Sequence, residues 1–161
     1  MIIVVMGVTG AGKTTVGWLL ARELGWEFAD GDDFHPDGNV EKMGRGIPLN
    51  ENDRLPWLER LRAYIAHDEA EGRNLVLACS ALKEDYRRML GAGSGSVKFV
   101  YLKGSTARIA ERLRERRGHF ADEKILAGQF ADLEEPDGAV VADIDATPGE
   151  VVKLVRDALG I

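Results

Sequence analysis

Met1-Ile2-Ile3-Val4-Val5-Met6-Gly7-Val8-Thr9-Gly10-Ala11-Gly12-Lys13-Thr14 opens the chain, and its reading decides the fold. The run Ile2 to Met6 is apolar throughout, as a strand covered on both faces of a parallel sheet must be. Gly7 to Thr14 then fits G-x-x-x-x-G-K-[ST], the loop that cradles phosphates with backbone N–H groups. Val16, Leu19, Leu20 and Leu24 follow at helical spacing, and Gly25 supplies the stop. Strand, glycine turn and helix in that order place free N–H groups and a positive helix end on one anion. The motif makes Gly7, Thr9, Gly10, Ala11, Gly12, Lys13, Thr14 and Thr15 the expected nucleotide-binding residues. Lys13 is placed to reach the transferring phosphate, and the Thr14 hydroxyl to ligate Mg²⁺. A nucleoside triphosphate is the expected ligand.

The rest of the chain fits one domain over residues 1–161. It has 161 residues, 45% hydrophobic and 30% charged, enough for a single packed core. A net charge of −6 disfavours nucleic acid or an anionic membrane surface as the main partner. No apolar run approaches the roughly 20 residues needed to span a bilayer. The single cysteine, Cys79, fits a reducing compartment, with cytoplasm the default, and reads as a small buried hydrophobe.

Further strands are expected at Trp26–Ala29, Leu75–Cys79, Val97–Leu102 and Ala139–Ile144. They alternate with helices: one turn at Asn39–Met43, a helix from Asn52 or Asp53 to about Gly72 with Pro56 in its first turn, then Lys83–Leu90. A helix carrying Arg108, Arg112 and Arg116 on one face comes next, and last one opened by Thr147-Pro148-Gly149-Glu150. This alternation predicts a five-stranded parallel sheet with helices on both faces, an α/β P-loop NTPase fold. Ligands of such sheets sit beyond the carboxyl ends of the strands. The P-loop, Asp30–Asp33, Ser80–Lys83 and the loop after Ile144 should therefore surround one cleft. Asp30 and Asp32 point the same way if that stretch is extended, one toward Mg²⁺ (Asp30 through water) and one toward an acceptor hydroxyl. No acidic residue ends the strand Leu75–Cys79, so a Walker-B aspartate is missing there.

The block Asp30-Gly31-Asp32-x-x-His35-Pro36-x-x-Asn39-x-x-Lys42-Met43-x-x-Gly46-x-Pro48-Leu49-x-x-x-Asp53-Arg54-x-Pro56-Trp57-Leu58 resembles the signature of gluconokinases. Cys79-Ser80-Ala81-Leu82-Lys83-x-x-Tyr86-Arg87, Arg112-Leu113-x-x-Arg116-x-Gly118-His119-Phe120 and Gln129-Phe130-x-x-Leu133-Glu134-x-Pro136 extend the resemblance over nearly the whole chain. It implies a shikimate-kinase-like fold, ATP with Mg²⁺, and phosphorylation of D-gluconate at its 6-hydroxyl, commonly by a homodimer. It also implies roles. Lys13, Asp32 and Arg116 would be catalytic, and Arg112 would flank the nucleotide. Asp32, His35, Lys42, Arg54, Ser80, Lys83, Arg87, His119 and Gln129 would meet the substrate, with Arg54 first and Lys83 second as carboxylate anchors. Residues 118–136 would be a helical lid that excludes water. After Phe120 the chain departs from the family's usual bulky residue and proline, carrying Ala121-Asp122 instead.

Shikimate kinases and nucleoside monophosphate kinases are the competing readings within the kinases, and the block from His35 to Trp57 argues against both. A GTPase switch would need a guanine-reading N-K-x-D, which does not occur. A dead binding module would be expected to have lost Lys13, Thr14 or Asp32.

Overall fold

The computed structural model describes residues 1–117 and 121–161, without the side chains of 117 and 121–123. Gly118, His119 and Phe120, and with them the expected substrate role of His119, lie outside the described residues. Five strands are described: β1 (Ile2–Met6), β2 (Glu27–Asp30), β3 (Leu75–Ala78), β4 (Val97–Lys103) and β5 (Val140–Asp143). The helices are α1 (Lys13–Leu24), α2 (Asp37–Gly44), α3 (Glu51–Ala70), α4 (Glu84–Met89), α5 (Thr106–Arg117), α6 (Ala121–Asp132) and α7 (Pro148–Leu159). The strands form one parallel sheet in the order β2-β3-β1-β4-β5, with Ile2 opposite both Leu75 and Val97. The expected fold class is the observed one.

The two-residue period of β1 divides the core. Ile3 and Val5 face a layer with Leu20 of α1, Ile109 of α5 and Val152 of α7. Ile2, Val4 and Met6 face the other side, against Trp57, Leu61 and Ile65 of α3 and Leu90 after α4. Burying each such side chain contributes about 1.5–3 kcal/mol, so both faces of the central strand are firmly held. Leu126 of α6 is only 1% exposed and belongs to the first layer, and Phe130 packs against the same layer, so α6 is pinned to the sheet. Cys79 is buried, and burial pushes its thiol up to about 12, as a packing residue rather than a nucleophile.

Local boundaries depart from expectation for identifiable reasons. Helix α3 starts at Glu51, because Asn50 and Asp53 form a reciprocal capping box. The Asn50 side chain accepts from the Asp53 N–H at 2.8 Å, and the Asp53 carboxylate accepts from the Asn50 N–H at 3.0 Å. Asp53 is thus the third helical residue and not the cap. Pro56 accordingly lies in the second turn, inside the helix, where it removes a hydrogen bond to the Asn52 carbonyl. Helix α2 runs to eight residues where one turn was expected, and α4 begins one residue after Lys83, its cap. The Asp30–Asp33 stretch is not extended: β2 stops at Asp30, and Gly31–Phe34 form a 3₁₀ turn whose first N–H groups need an acceptor. Asp30 supplies it. The alternation argument for Asp30 and Asp32 therefore fails, and a capped turn brings the two together instead.

Candidate active site

Helix α1 begins with its N–H groups uncommitted. Its cap is Gly12 at φ 96°, no side chain caps it, and no acidic residue stands in its first turn. An anion placed there meets unsatisfied donors and the positive helix end. Gly7 is required for another reason. A Cβ on it would lie 3.0 Å from the Leu102 carbonyl oxygen of β4, so the loop could not leave the sheet as closely as it does. The Gly7 N–H donates to the Ser80 carbonyl at 3.3 Å, which ties the P-loop to the end of β3. Lys13 folds back over the loop, its Nζ donating to the Val8 carbonyl at 2.9 Å. Burial pushes this ammonium below the ordinary lysine value, opposed by Asp32, Cys79 and Asp30.

Opposite the loop stand the two aspartates. Asp30 accepts from the Thr14 hydroxyl through Oδ2 at 2.9 Å, and from the Asp32 N–H through Oδ1 at 3.0 Å. Thr14 and Asp30 are therefore already paired where the motif expects the metal. That is a hydroxyl and a hard carboxylate, which suit Mg²⁺ retaining waters and sharing phosphate oxygens. Among the described residues no group of three or more His, Cys, Asp or Glu could hold a metal with protein ligands alone. Asp32 is raised above the usual aspartate range, by burial first and Asp30 second, with Lys13 opposing.

Helix α3 builds the acceptor side. Trp57 donates through Nε1 to the Gly31 carbonyl at 2.7 Å, fixing the 3₁₀ turn to α3. His35 stacks on the Trp57 ring at 4.5 Å with 12° between planes. The Asn39 amide nitrogen donates to the Asp53 carbonyl at 2.8 Å and lies 3.2 Å from His35 Nδ1. Since an amide N–H₂ only donates, Nδ1 accepts and the imidazole proton sits on Nε2, free for a substrate oxygen. Burial lowers the His35 pKa, opposed by Asp32, which favours this neutral form.

Arg54 lies one turn before Trp57 on α3. Its guanidinium donates to the Tyr86 hydroxyl at 3.0 Å and to Asp132 of α6 at 3.1 Å. Lys83 donates to Glu51, which also accepts from the Tyr86 hydroxyl at 3.0 Å. Arg54 and Lys83 are thereby gathered around one tyrosine, at 5.9 and 5.7 Å from its ring. Three expected substrate residues, Lys42, Arg87 and Gln129, have protein partners outside that cluster. Lys42 is paired with both carboxylate oxygens of Asp53, at 2.9 and 2.8 Å, and joins α2 to α3. Arg87 is 4% exposed and donates to the Ala81 and Leu82 carbonyls, both at 2.9 Å. It clamps the turn in which Ala81 adopts φ 44°, a conformation unfavourable for a non-glycine residue. Arg87 therefore supports the Ser80–Lys83 loop, its guanidinium turned to those carbonyls.

Arg112 and Arg116 line a recess with Gly12, Thr15, Pro148 and Val151, beside the start of α1 and the loop after β5. Arg112 donates to the Ile144 carbonyl at 2.6 Å. Gln129, expected at the substrate, meets the P-loop instead: its Oε1 accepts from the Thr9 N–H at 2.6 Å. Sequence reasoning missed Glu51 and Asp132, acids on helix surfaces with no local signal.

An open helix N-terminus, a half-buried lysine, a hydroxyl–carboxylate pair and a polar acceptor wall define a P-loop small-molecule kinase. The shikimate kinase family model matches residues 9–135. The chain is 42% identical to a probable gluconokinase of Rattus norvegicus, covering 98% of this chain and 97% of that one. It is 41% identical to the thermosensitive gluconokinase of Escherichia coli K12, over 97% and 86%. The structure of a gluconokinase from Sinorhizobium meliloti 1021 superposes with TM-score 0.86 at 40% identity, covering 98% and 90%. The chain belongs to the gluconokinase family.

Proposed function

We infer that this chain transfers the γ-phosphoryl group of ATP to the 6-hydroxyl of D-gluconate, giving 6-phospho-D-gluconate and ADP. The observation that carries this reading is that α3 bears Arg54 and also, through the Trp57 Nε1–H on the Gly31 carbonyl, fixes the turn that bears Asp32. One element thus supports both a carboxylate for a substrate hydroxyl and a guanidinium for a substrate carboxylate. The P-loop amides and Lys13 hold the phosphates. Asp32 orients the 6-hydroxyl and takes its proton as the oxygen–phosphorus bond forms and the bond to the ADP oxygen breaks. His35 Nε2–H steadies a neighbouring hydroxyl. Arg54, with Lys83 beside it, receives the carboxylate in bidentate fashion. Arg112 and Arg116 flank the nucleotide, Arg116 toward the transferring phosphate. Thr14, and Asp30 through water, would hold Mg²⁺, which neutralises charge on the phosphate oxygens. Residues 1–161 act as one kinase domain with 118–136 as its lid, in a cytoplasmic homodimer without nucleic acid or membrane partners.

The test is ADP release from ATP with gluconate, shikimate, AMP or no acceptor. Gluconate is expected to raise the rate at least about tenfold over no acceptor, because another polar substrate leaves the site's hydrogen-bonding groups unpaired. Equal turnover with AMP or shikimate overturns the reading. Arg54→Met probes the anchor. Losing one charge-assisted bond of about 1.5–3 kcal/mol should raise KM for gluconate roughly 10- to 100-fold and leave KM for ATP near normal. A change confined to ATP would remove Arg54 from the acceptor site.

A further inference from the structure

Helix α6 makes two polar contacts that the reaction does not explain. Gln129 places a carboxamide oxygen on the Thr9 N–H at 2.6 Å, and Thr9 belongs to the loop that must receive a phosphate. One turn further on, Asp132 places a carboxylate on the Arg54 guanidinium at 3.1 Å. Each group mimics the chemistry of a ligand. The amide oxygen is a neutral counterpart of a phosphoryl oxygen, and the Asp132 carboxylate is the same functional group that gluconate carries. Residues three apart on a helix share a face, so both stand-ins ride on one rigid element. That element is held at its far end as well. The Glu134 N–H donates to the Leu82 carbonyl at 2.9 Å, and the Glu134 carboxylate accepts from the Glu84 N–H at 3.1 Å. Leu126, one turn before Gln129, is buried in the core, so Gln129 and Asp132 share the short stretch between two fixed points, and a shift that breaks one contact disturbs the other.

We propose that Gln129 and Asp132 are positioning residues that bridge both ligand sites in the free enzyme, so that ATP and gluconate each assist the binding of the other. A phosphate that takes the Thr9 N–H displaces Gln129 and shifts α6. The shift draws Asp132 from Arg54 and frees the guanidinium for gluconate. By linkage the reverse path has the same factor: gluconate on Arg54 expels Asp132 and opens the Thr9 N–H to ATP. The apparent affinity of each ligand alone is reduced by the fraction of enzyme in the bridged state, and the first ligand removes that reduction for the second. The gluconate half rests on the reading of Arg54 as carboxylate anchor; the ATP half does not.

The experiment is titration calorimetry of a non-hydrolysable ATP analogue, with and without saturating gluconate, and of gluconate alone. In the unaltered enzyme gluconate is expected to tighten analogue binding about 5- to 10-fold, the low end of measured couplings. Gln129→Ala frees the Thr9 N–H and should tighten analogue binding alone about 3- to 10-fold, one net hydrogen bond. Gln129→Glu strengthens the competing acceptor and adds a charge that repels phosphate, so it should weaken the same binding. Opposite signs for Ala and Glu are what a merely structural glutamine would not give. Asp132→Asn should tighten gluconate alone, and the double variant Gln129→Ala/Asp132→Asn should bring the coupling close to one. Coupling that survives in the double variant, or weaker analogue binding in Gln129→Ala, overturns the proposal. Arg54→Met separates the two readings. If it leaves gluconate affinity unchanged, the anchor assignment fails and the gluconate half falls with it, while the ATP half is judged on the analogue alone.

Discussion

Lys13→Ala lowers kcat by about 10²-fold or more, the loss expected when one preorganised donor to a developing charge is removed. In the free enzyme the ammonium lies against the Val8 carbonyl, across the mouth of the P-loop. No other lysine or arginine of the P-loop stretch can take its place, since Gly7 to Thr15 contains only Lys13. The effect should fall on kcat more than on KM for ATP, because the backbone amides still hold the phosphates. Stability should not suffer. Burial lowers the Lys13 pKa, so the folded state disfavours its ammonium, and the variant should melt no lower than the parent at neutral pH. A folded Lys13→Ala enzyme with near-normal kcat would mean that phosphoryl transfer happens elsewhere.

Asp32→Asn is expected to bind ATP normally and to lose about 10²–10⁴ in kcat, the range for a general base. An amide can orient the acceptor hydroxyl but cannot take its proton. The pH dependence carries a second signature. Burial raises the Asp32 pKa, so the base is lost to protonation as pH falls through that raised value. The acid limb of kcat/KM should therefore sit above the ordinary aspartate range and vanish in Asp32→Asn. The stability sign follows from the same shift. A carboxylate with a raised folded pKa favours the fold at acid pH and loses that contribution as pH rises through the folded value. The asparagine variant should then be at least as stable as the parent at neutral pH. Asp30→Asn should behave differently, raising the Mg²⁺ requirement, because Asp30 holds the Thr14 hydroxyl and the 3₁₀ turn. If Asp32→Asn keeps most of its kcat while Asp30→Asn is dead at every Mg²⁺ level, the two roles are reversed.

What could be read in advance and what could not follow different physics. Ile2–Met6 and Gly7–Thr14 are local signals: an apolar run and a loop whose donors belong to its own backbone. Both were legible, as was the alternation that sets the sheet. The resemblance implies Lys42 and Arg87 at the substrate, but a charged residue in a motif says nothing of its direction. Their placement depends on Asp53, eleven residues away, and on the carbonyls of the turn at Ala81. Asp132 was invisible because its partner, Arg54, is 78 positions distant and each looks like an ordinary helix-surface charge. The cap of α3 was misread by two or three residues, since Asn50, Asn52 and Asp53 all have the chemistry of a cap, and only the reciprocal bonds choose among them.

The position of β1 in the sheet has a consequence for how the enzyme is made. Its two neighbours are β3 and β4, and Ile2 pairs with Leu75 on one side and Val97 on the other. During synthesis the P-loop strand thus waits, with first both edges and then one edge bare, until residues some way past Val97 have emerged. Contacts that far apart in sequence form late, and an unpaired apolar strand is the segment most exposed to mispairing meanwhile. The phosphate cradle is therefore made before the strands that finish it, and a nascent chain that still lacks β4 is expected to hold nucleotide poorly.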